Sequence, residues 1–253
     1  MGAPAAMNFQ TIFFDVLGST NTEALEQARR GADEGLIIVA REQTAGRGRL
    51  GRKWASPRDA GLYFSIVLRP SLEPRFLPLI TLAAGVAVHE TLTSLGLSPD
   101  IKWVNDVLVH GRKISGILAE TAETNRGTAV VVGIGINITS ENFPEEIAKI
   151  ATSIEGETGR RVSVEDLAKT LAGNIETYYE ILLGAGGPQC VVKEWSCRST
   201  YVSGKHVRVT AGNEMTEGIT EGLEPNGALR IRTNDVNALA IIQTGDVQAL
   251  RDR

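Results

Sequence analysis

The chain has few of the residues that build disulfide-rich or metal-binding proteins. Its 253 residues include only two cysteines and three histidines. Two cysteines provide no disulfide framework, and the histidines are scattered without the spacing of metal ligands. No serine or cysteine stands in the context of a nucleophile elbow or a catalytic cysteine. These absences argue against a disulfide scaffold, a zinc domain and a triad hydrolase.

We also expect no segment for membrane insertion or export. No apolar run approaches the roughly 20 residues that span a bilayer. The N-terminus, MGAPAAMNFQ, lacks a cationic segment followed by an apolar stretch. Gly2 is a poor myristoylation signal, because Ala6 stands where that motif has Ser or Thr. The expected location is the cytoplasm, without membrane association.

The charge balance is slightly acidic. Lys and Arg number 26 and Asp and Glu number 30, which gives a formal net charge of −4. Such a chain is not a general polyanion binder, although a local basic patch can still bind an anion. The length is enough to bury a sizeable core and favours one large domain, or one medium and one small domain.

The first 200 or so residues alternate between strand and helix patterns. Short β-prone apolar runs predict strands, and apolar residues at helical spacing after capping residues predict helices. The predicted strands cover residues 9–16, 36–40, 61–68, 101–109, 113–121 and 128–138. The predicted helices cover residues 20–31, 76–95, 163–183 and 188–197. The first helix is expected to begin with a capping box of Thr20 and Glu23.

The pattern changes near the C-terminus. From Gly204 onward, short alternating segments are separated by Gly212-Asn213 and Asn226-Gly227, which are typical of hairpin turns. We therefore predict a mixed α/β domain over residues 1–203 and a small all-β barrel over residues 204–253.

The loop GRGRLGRKW, residues 46–54, is the strongest functional feature. Gly46 and Gly51 have the spacing of a phosphate-binding P-loop, but Arg52 and Lys53 replace its Lys and hydroxyl residue. Glycines let backbone N–H groups approach a ligand, and arginines suit bidentate contact with phosphate or carboxylate. The composition favours an anion site. The alternative is a solvated or nucleic-acid-binding arm.

Two further segments flank a tight turn. KWVND covers residues 102–106 and KISG covers residues 113–116, so hairpin pairing would bring them together. A lysine and an aspartate near one pocket suggest cation–carboxylate chemistry or substrate orientation. An exposed hairpin with ordinary surface charges is an equally good interpretation of these segments alone.

The third feature is GIGIN, residues 133–137. It is a poor dinucleotide fingerprint, because Ile138 follows and no helix begins there. Glycines within a buried strand indicate the close approach of a ligand or another backbone. The amide of Asn137 can donate and accept hydrogen bonds, which suits the edge of an adenine.

These segments and STN at residues 19–21 occur in an order that resembles biotin protein ligases, the enzymes that attach biotin to carboxylase carrier domains. The resemblance extends from about residue 10 into the C-terminal barrel. It implies an α+β fold: a mixed β-sheet catalytic domain with helices, like that of class II synthetases, then a small SH3-like β-barrel. Val104 departs from the family, which usually has Pro there, and this alters turn stiffness more than chemistry.

The resemblance also implies a role for individual residues. Biotin-site roles fall on Ser19, Thr20, Asn21, Gln43, Arg47, Gly48, Arg49, Lys113 and Gly116. ATP-site roles fall on Arg52, Trp54, Asn105 and Asn137. Catalytic roles fall on Lys113, Arg49 and Asp106. The resemblance implies no metal ion that is held by protein residues alone, although Asp106 is a candidate Mg²⁺ contact.

The implied substrates are biotin and ATP with Mg²⁺, with no tightly bound prosthetic group. Biotin would be activated as biotinyl-AMP and transferred to a lysine of a biotin carboxyl carrier protein domain. A homodimer is compatible with this family. Only 18 residues precede Ser19, too few for the helix-turn-helix domain of some members, so we expect the ligase-only form without DNA binding.

Two alternatives remain at this point. A nucleic-acid-binding module would use the arginines and the barrel, but the loop has no interleaved aromatic residue except Trp54 and the chain is acidic. A lipoate ligase is closer in fold than a nucleic-acid-binding module, but the Gly-Arg loop favours biotin as the substrate.

Overall fold

A seven-stranded mixed sheet forms the centre of the larger region. The structure, a computed structural model, describes residues 6–141, 143–233 and 238–250. The strands are β1 (Gln10–Phe14), β2 (Leu36–Ala40), β3 (Gly61–Leu68), β4 (Pro99–Lys102), β5 (Asp106–Val109), β6 (Arg112–Thr124) and β7 (Gly127–Asn137). Their order is β1-β2-β3-β7-β6-β5-β4. The β1–β2 pair is parallel and the other pairs are antiparallel.

Helices cover both faces of this sheet. They are α1 (Thr20–Arg29), α2 (Leu79–Thr93), α3 (Glu145–Ala148), α4 (Ile154–Thr158), α5 (Val164–Leu183) and α6 (Gly187–Ser196). Every residue of β2 and β3 is buried, because successive side chains point into opposite apolar layers. Ile38 and Val67 pack with α1, whereas Ile37 and Phe64 pack with α2, α5 and α6.

The segment Pro74–Thr93 corrects one expectation. Within the described ranges it is long and apolar enough, by length and composition, to cross a membrane. Our expectation that no run approaches this length was therefore wrong. However, 61% of its apolar window is buried inside the protein, where α2 packs against α5 and α6. This burial is typical of the central helix of a globular core.

The C-terminal region forms a second sheet. Its strands are β8 (Ser203–Ala211), β9 (Glu214–Leu223), β10 (Leu229–Thr233), β11 (Leu239–Ile242) and β12 (Asp246–Ala249), in the antiparallel order β11-β10-β9-β8-β12. The predicted α+β class is confirmed, while closure of this sheet into a barrel stays a prediction. The buried Val207, Leu229 and Val247 belong to the same apolar cluster as the larger region. Trp103 Nε1 also donates to the Gly227 carbonyl at 2.9 Å.

Two local predictions were wrong. The helix α1 begins after Ser19, and no side chain forms a capping hydrogen bond there. Thr20 is instead the first helical residue, and its hydroxyl donates to Gln43. The predicted strand over residues 101–109 is divided into β4 and β5, since residues 103–105 form the turn between them.

Candidate functional site

A cavity opens between the start of α1, the loop after β2, the strands β5 to β7 and the turn before β12. It contains about 820 Å³ of space, including space open to solvent. Every predicted site residue except Asn137 lines it. This set comprises Ser19, Thr20, Asn21, Gln43, Arg47, Gly48, Arg49, Arg52, Trp54, Asn105, Asp106, Lys113 and Gly116. The fold therefore brings together predicted site residues that are up to 97 positions apart in the chain, from Ser19 to Gly116.

Uncharged polar side chains form one end of the cavity. We call Ser19, Thr20, Asn21 and Gln43 the polar clasp. The backbone N–H of Thr20 donates to Gln43 Oε1 at 2.8 Å, and Gln43 Nε2 donates to Ser56 Oγ at 2.8 Å. These bonds fix the orientation of the Gln43 amide.

Ser65 lies beneath the clasp and is completely buried in β3. Its Oγ is 2.8 Å from Thr20 Oγ1 and 2.7 Å from Asn21 Oδ1. The Ser65 hydroxyl has one proton, so it can donate to only one of these acceptors at a time. The clasp is thus organised from below by a hydroxyl that does not line the cavity.

Asn21 rests directly on a glycine of β7. Its Nδ2 donates to the Leu118 carbonyl at 3.1 Å and to Glu120 Oε2 at 2.9 Å. A Cβ atom at Gly133 would lie 2.1 Å from Asn21 Oδ1, so only glycine leaves room for this amide. Glu120 also accepts from Arg47 at 2.5 Å and so joins the clasp to the loop.

Trp54 covers the sheet in the middle of the cavity. Gly116 and Gly135 are paired across β6 and β7, and Cβ atoms there would lie 2.9 Å and 2.4 Å from the indole ring. The sequence predicted the approach of a ligand or a backbone at Gly133 and Gly135, whereas the structure places the side chains of Asn21 and Trp54 there. Trp54 Nε1 is buried and has no hydrogen-bond partner among the described residues.

A cationic cluster forms the next part of the wall. Lys113 Nζ lies 2.6 Å from Asp106 Oδ1, and Lys102 Nζ lies 3.8 Å from Asp106 Oδ2. The same Lys113 ammonium is 5.3 Å from the centroid of the Trp54 ring. One carboxylate therefore faces two ammonium groups, and the cluster retains a positive charge that suits an anionic ligand.

The loop of residues 46–54, which we call the arginine loop, reaches across to the second sheet. Arg49 donates to Asn105 Oδ1 and to Thr244 Oγ1, both at 2.8 Å. Burial is the main cause that lowers the pKa of the Arg49 guanidinium below its ordinary value. An anion in the cavity would compensate for this loss of hydration.

Arg52 forms an ion pair with the second sheet. Its guanidinium donates to Asp246 Oδ2 at 2.9 Å. Burial opposes ionisation of Asp246, but the hydrogen bond and charge of Arg52 outweigh it and lower the pKa of this carboxyl group. Leu50, between the two arginines, is exposed and has a left-handed backbone with φ of 55°.

Asn137 is the predicted residue that lies outside the cavity lining. Its Nδ2 donates to the Thr152 carbonyl at 2.9 Å and approaches the Lys113 carbonyl at 3.4 Å. The side chain thus holds the backbone beside Lys113 in place. Its predicted nucleotide contact stays a prediction.

Sequence reasoning missed four residues of the site: Ser65, Glu120, Thr244 and Asp246. Ser65 offered a signal, because it is a small hydroxyl residue in a strand, β3, that is otherwise apolar except for its tyrosine. Thr244 and Asp246 gave none, since they meet the arginine loop only after the second sheet has packed against the first.

Comparisons with known proteins agree with this geometry. Residues 13–137 match the biotin/lipoate A/B protein ligase family, and residues 202–249 match the biotin protein ligase C-terminal domain. The bifunctional ligase/repressor BirA of Bacillus subtilis is 35% identical over 233 residues, which cover 90% of this chain and 71% of that protein. The biotin–[acetyl-CoA-carboxylase] ligase of Paracoccus denitrificans is 35% identical over 223 residues, covering 85% and 90%.

A solved structure gives the same result. The biotin protein ligase from Aquifex aeolicus, in complex with biotin and ATP, superposes with a TM-score of 0.81 at 29% identity. The superposition covers 96% of this chain and 99% of that one. The chain belongs to the biotin protein ligase family.

Proposed function

We propose that the protein is an ATP-dependent ligase that activates biotin and transfers it to a lysine of a biotin carboxyl carrier protein domain. In the first half-reaction, a biotin carboxylate oxygen bonds to the α-phosphorus of ATP and the bond to pyrophosphate breaks. In the second, the acceptor lysine amine attacks the carbonyl carbon of biotinyl-AMP. The amine loses a proton and AMP leaves.

The observation that carries this proposal is the division of one cavity into two ends. The polar clasp presents uncharged donors and acceptors, which suit the ureido group of biotin. The other end presents Lys113, Arg49 and Arg52, which suit a carboxylate and phosphates. A carboxylate and a triphosphate repel each other, so cations must screen both before they can react.

Each residue then has a role in the chemistry. Lys113 stabilises the charge that develops between the biotin carboxylate and the α-phosphate, and Asp106 orients its ammonium group. Arg49 and Arg47 close the loop over the intermediate and keep water from the anhydride. Asn105 Oδ1 accepts a hydrogen bond from Arg49 at 2.8 Å. This contact supports a place for Asn105 on the nucleotide side, with Arg52, Trp54 and Asn137.

Magnesium belongs to the proposal as the ion that accompanies ATP. Among residues 6–141, 143–233 and 238–250, no group of three or more His, Cys, Asp or Glu side chains could hold a metal. The nucleotide phosphates would therefore supply most ligands, with Asp106 as the protein contact. We further propose a cytoplasmic location, a carboxylase carrier domain as the partner, and a homodimer as the assembly to test.

Isotope exchange tests the first half-reaction by itself. The enzyme is incubated with ATP, Mg²⁺ and labelled pyrophosphate, with biotin or lipoate in parallel. Label should enter ATP only with biotin, because only biotin presents a ureido group to the clasp. Exchange with lipoate alone would make the protein a lipoate ligase, and no exchange with either acid would refute the proposed activation.

A further inference from the structure

A buried carboxylate outside the cavity is in hydrogen-bond contact with three side chains. Glu157 lies on α4 and its side chain is 7% exposed. Its Oε1 accepts from Arg112 at 2.7 Å and from the Thr152 hydroxyl at 2.6 Å, and its Oε2 lies 2.9 Å from His110 Nδ1. Burial raises the pKa of Glu157, but these hydrogen bonds and charges outweigh it, so the net pKa is below the ordinary value.

These contacts tie a hairpin turn to a neighbouring segment. His110 lies in the turn between β5 and β6 and Arg112 is the first residue of β6, whereas Thr152 lies in the chain before α4. The β5–β6 pairing near this turn is irregular, with a register shift between Val107 and Leu108. Glu157 therefore supplies a side-chain anchor for this end of the hairpin.

Lys113 follows directly after the anchored turn. Its backbone N–H donates to the Ile150 carbonyl and its carbonyl accepts from the Thr152 N–H, both at 2.9 Å. Asn137 Nδ2 donates to the Thr152 carbonyl at 2.9 Å. Glu157 thus binds Arg112, which directly precedes Lys113 in the chain. It also binds Thr152, whose backbone N–H donates to the Lys113 carbonyl.

We propose that Glu157 is a positioning residue for Lys113, an inference that rests on the function proposed above. Glu157 does not line the cavity among the described residues, so it acts through the backbone. Lys113 Nζ already packs between Asp106 and the Trp54 ring. A shift of the Lys113 backbone would move that ammonium group away from the reacting carboxylate and phosphate.

The test compares two glutamates on the same short helix. Glu157→Gln removes the charge that binds Arg112 and His110, while Glu155→Gln makes the same chemical change at a residue that pairs with Arg161. For Glu157→Gln, kcat of biotin-dependent pyrophosphate exchange should fall by about 10- to 100-fold, the effect of a displacement near 1 Å. The KM for biotin should change less than kcat, because the polar clasp does not touch this anchor. Glu155→Gln should retain the wild-type kcat.

A second measurement is independent of activity. Amide hydrogen exchange at Lys113 and Thr152 should become faster in Glu157→Gln and stay unchanged in Glu155→Gln, since both amides bond across the anchored segment. If Glu157→Gln does not fold, Thr152→Val removes one donor at nearly constant shape and should give the same pattern. If the wild type is active and both Glu157→Gln and Thr152→Val keep its kcat, the positioning role is overturned. An inactive wild type would refute the proposed function itself.

Discussion

The polar clasp and the arginine loop line one cavity but are held in place in different ways. Thr20 and Asn21 are 4% and 3% exposed and bond to side chains inside the protein. In contrast, the Arg52 side chain is 64% exposed and bonds across the cavity to Asp246 in the second sheet. One end of the cavity is part of the core, and the other end joins two sheets at the surface.

The two kinds of support determine which end of the cavity can change when a ligand binds. A buried polar group that loses its partner costs about 1–3 kcal/mol, whereas an exposed ion pair contributes only about 0.2–1 kcal/mol. The clasp should therefore keep its shape. The arginine loop should exchange Asp246 and Thr244 for the anionic groups of a ligand at little cost.

The largest effect is expected from Lys113→Ala, which removes the cation between the two ends. Adenylate formation should slow by about 10²–10³, the range for loss of one electrostatic donor in an active site. Folding should be retained, because the Lys113 side chain is 33% exposed. Lys149→Ala, at the exposed position directly after α3, is the control. Pyrophosphate exchange near the wild-type rate would remove Lys113 from the mechanism.

Arg49→Gly should weaken the arginine loop and leave the clasp intact. The loss of a charge-assisted hydrogen bond of about 1.5–3 kcal/mol corresponds to roughly 10- to 150-fold weaker retention of biotinyl-AMP. The escaping intermediate should acylate lysines of an unrelated protein, measured as attached biotin.

The neighbouring Leu50→Gly is the matched control for this variant. It adds the same chain flexibility, suits the left-handed backbone at this position, and removes no charge. Bystander labelling should stay low with it. If Arg49→Gly still makes adenylate but labels bystanders no more than the wild type does, Arg49 does not retain the intermediate.

Ser65→Ala should have a smaller effect, at the opposite end. It removes a hydrogen bond of about 0.5–1.5 kcal/mol beneath Thr20 and Asn21, so the KM for biotin should rise about 2- to 12-fold with kcat unchanged. Ser115→Ala is the matched control, because Ser115 is equally buried and its hydroxyl has no partner among the described residues. An effect on the KM for ATP and not for biotin would contradict the division of the cavity.

The smallest effect concerns the ion pair between Arg52 and Asp246. Because the folded-state pKa of Asp246 is lowered, its contribution to stability is present above the ordinary pKa of about 3.9 and is lost as the pH falls through the lower folded value. Asp246→Asn should reduce the free energy of unfolding by about 0.2–1 kcal/mol at neutral pH. Denaturant titrations should show this difference disappearing in acid. A difference that grows as the pH falls would contradict the sign.

The sequence predicted which segments form the clasp and the loop, but it did not predict the tertiary contacts that hold them. The apolar runs at β2 and β3 are continuous, so their bounds followed from hydrophobicity alone, and the STN, KISG and loop residues do meet in the cavity. The capping box failed because Thr20 bonds to Gln43, a tertiary partner that no local pattern reveals. Thr244 and Asp246 were missed for the same physical reason, since their contacts depend on the packing of two sheets.

The transfer of biotin to an acceptor lysine is the complete reaction that we propose for this protein. The enzyme is mixed with biotin, Mg²⁺-ATP and the carrier domain of a biotin-dependent carboxylase, and the mass of the carrier is measured. We predict one biotin on one lysine, with no attachment when ATP is omitted or when that lysine is replaced by arginine. An unmodified carrier in the complete mixture, with the enzyme folded, would contradict the claim.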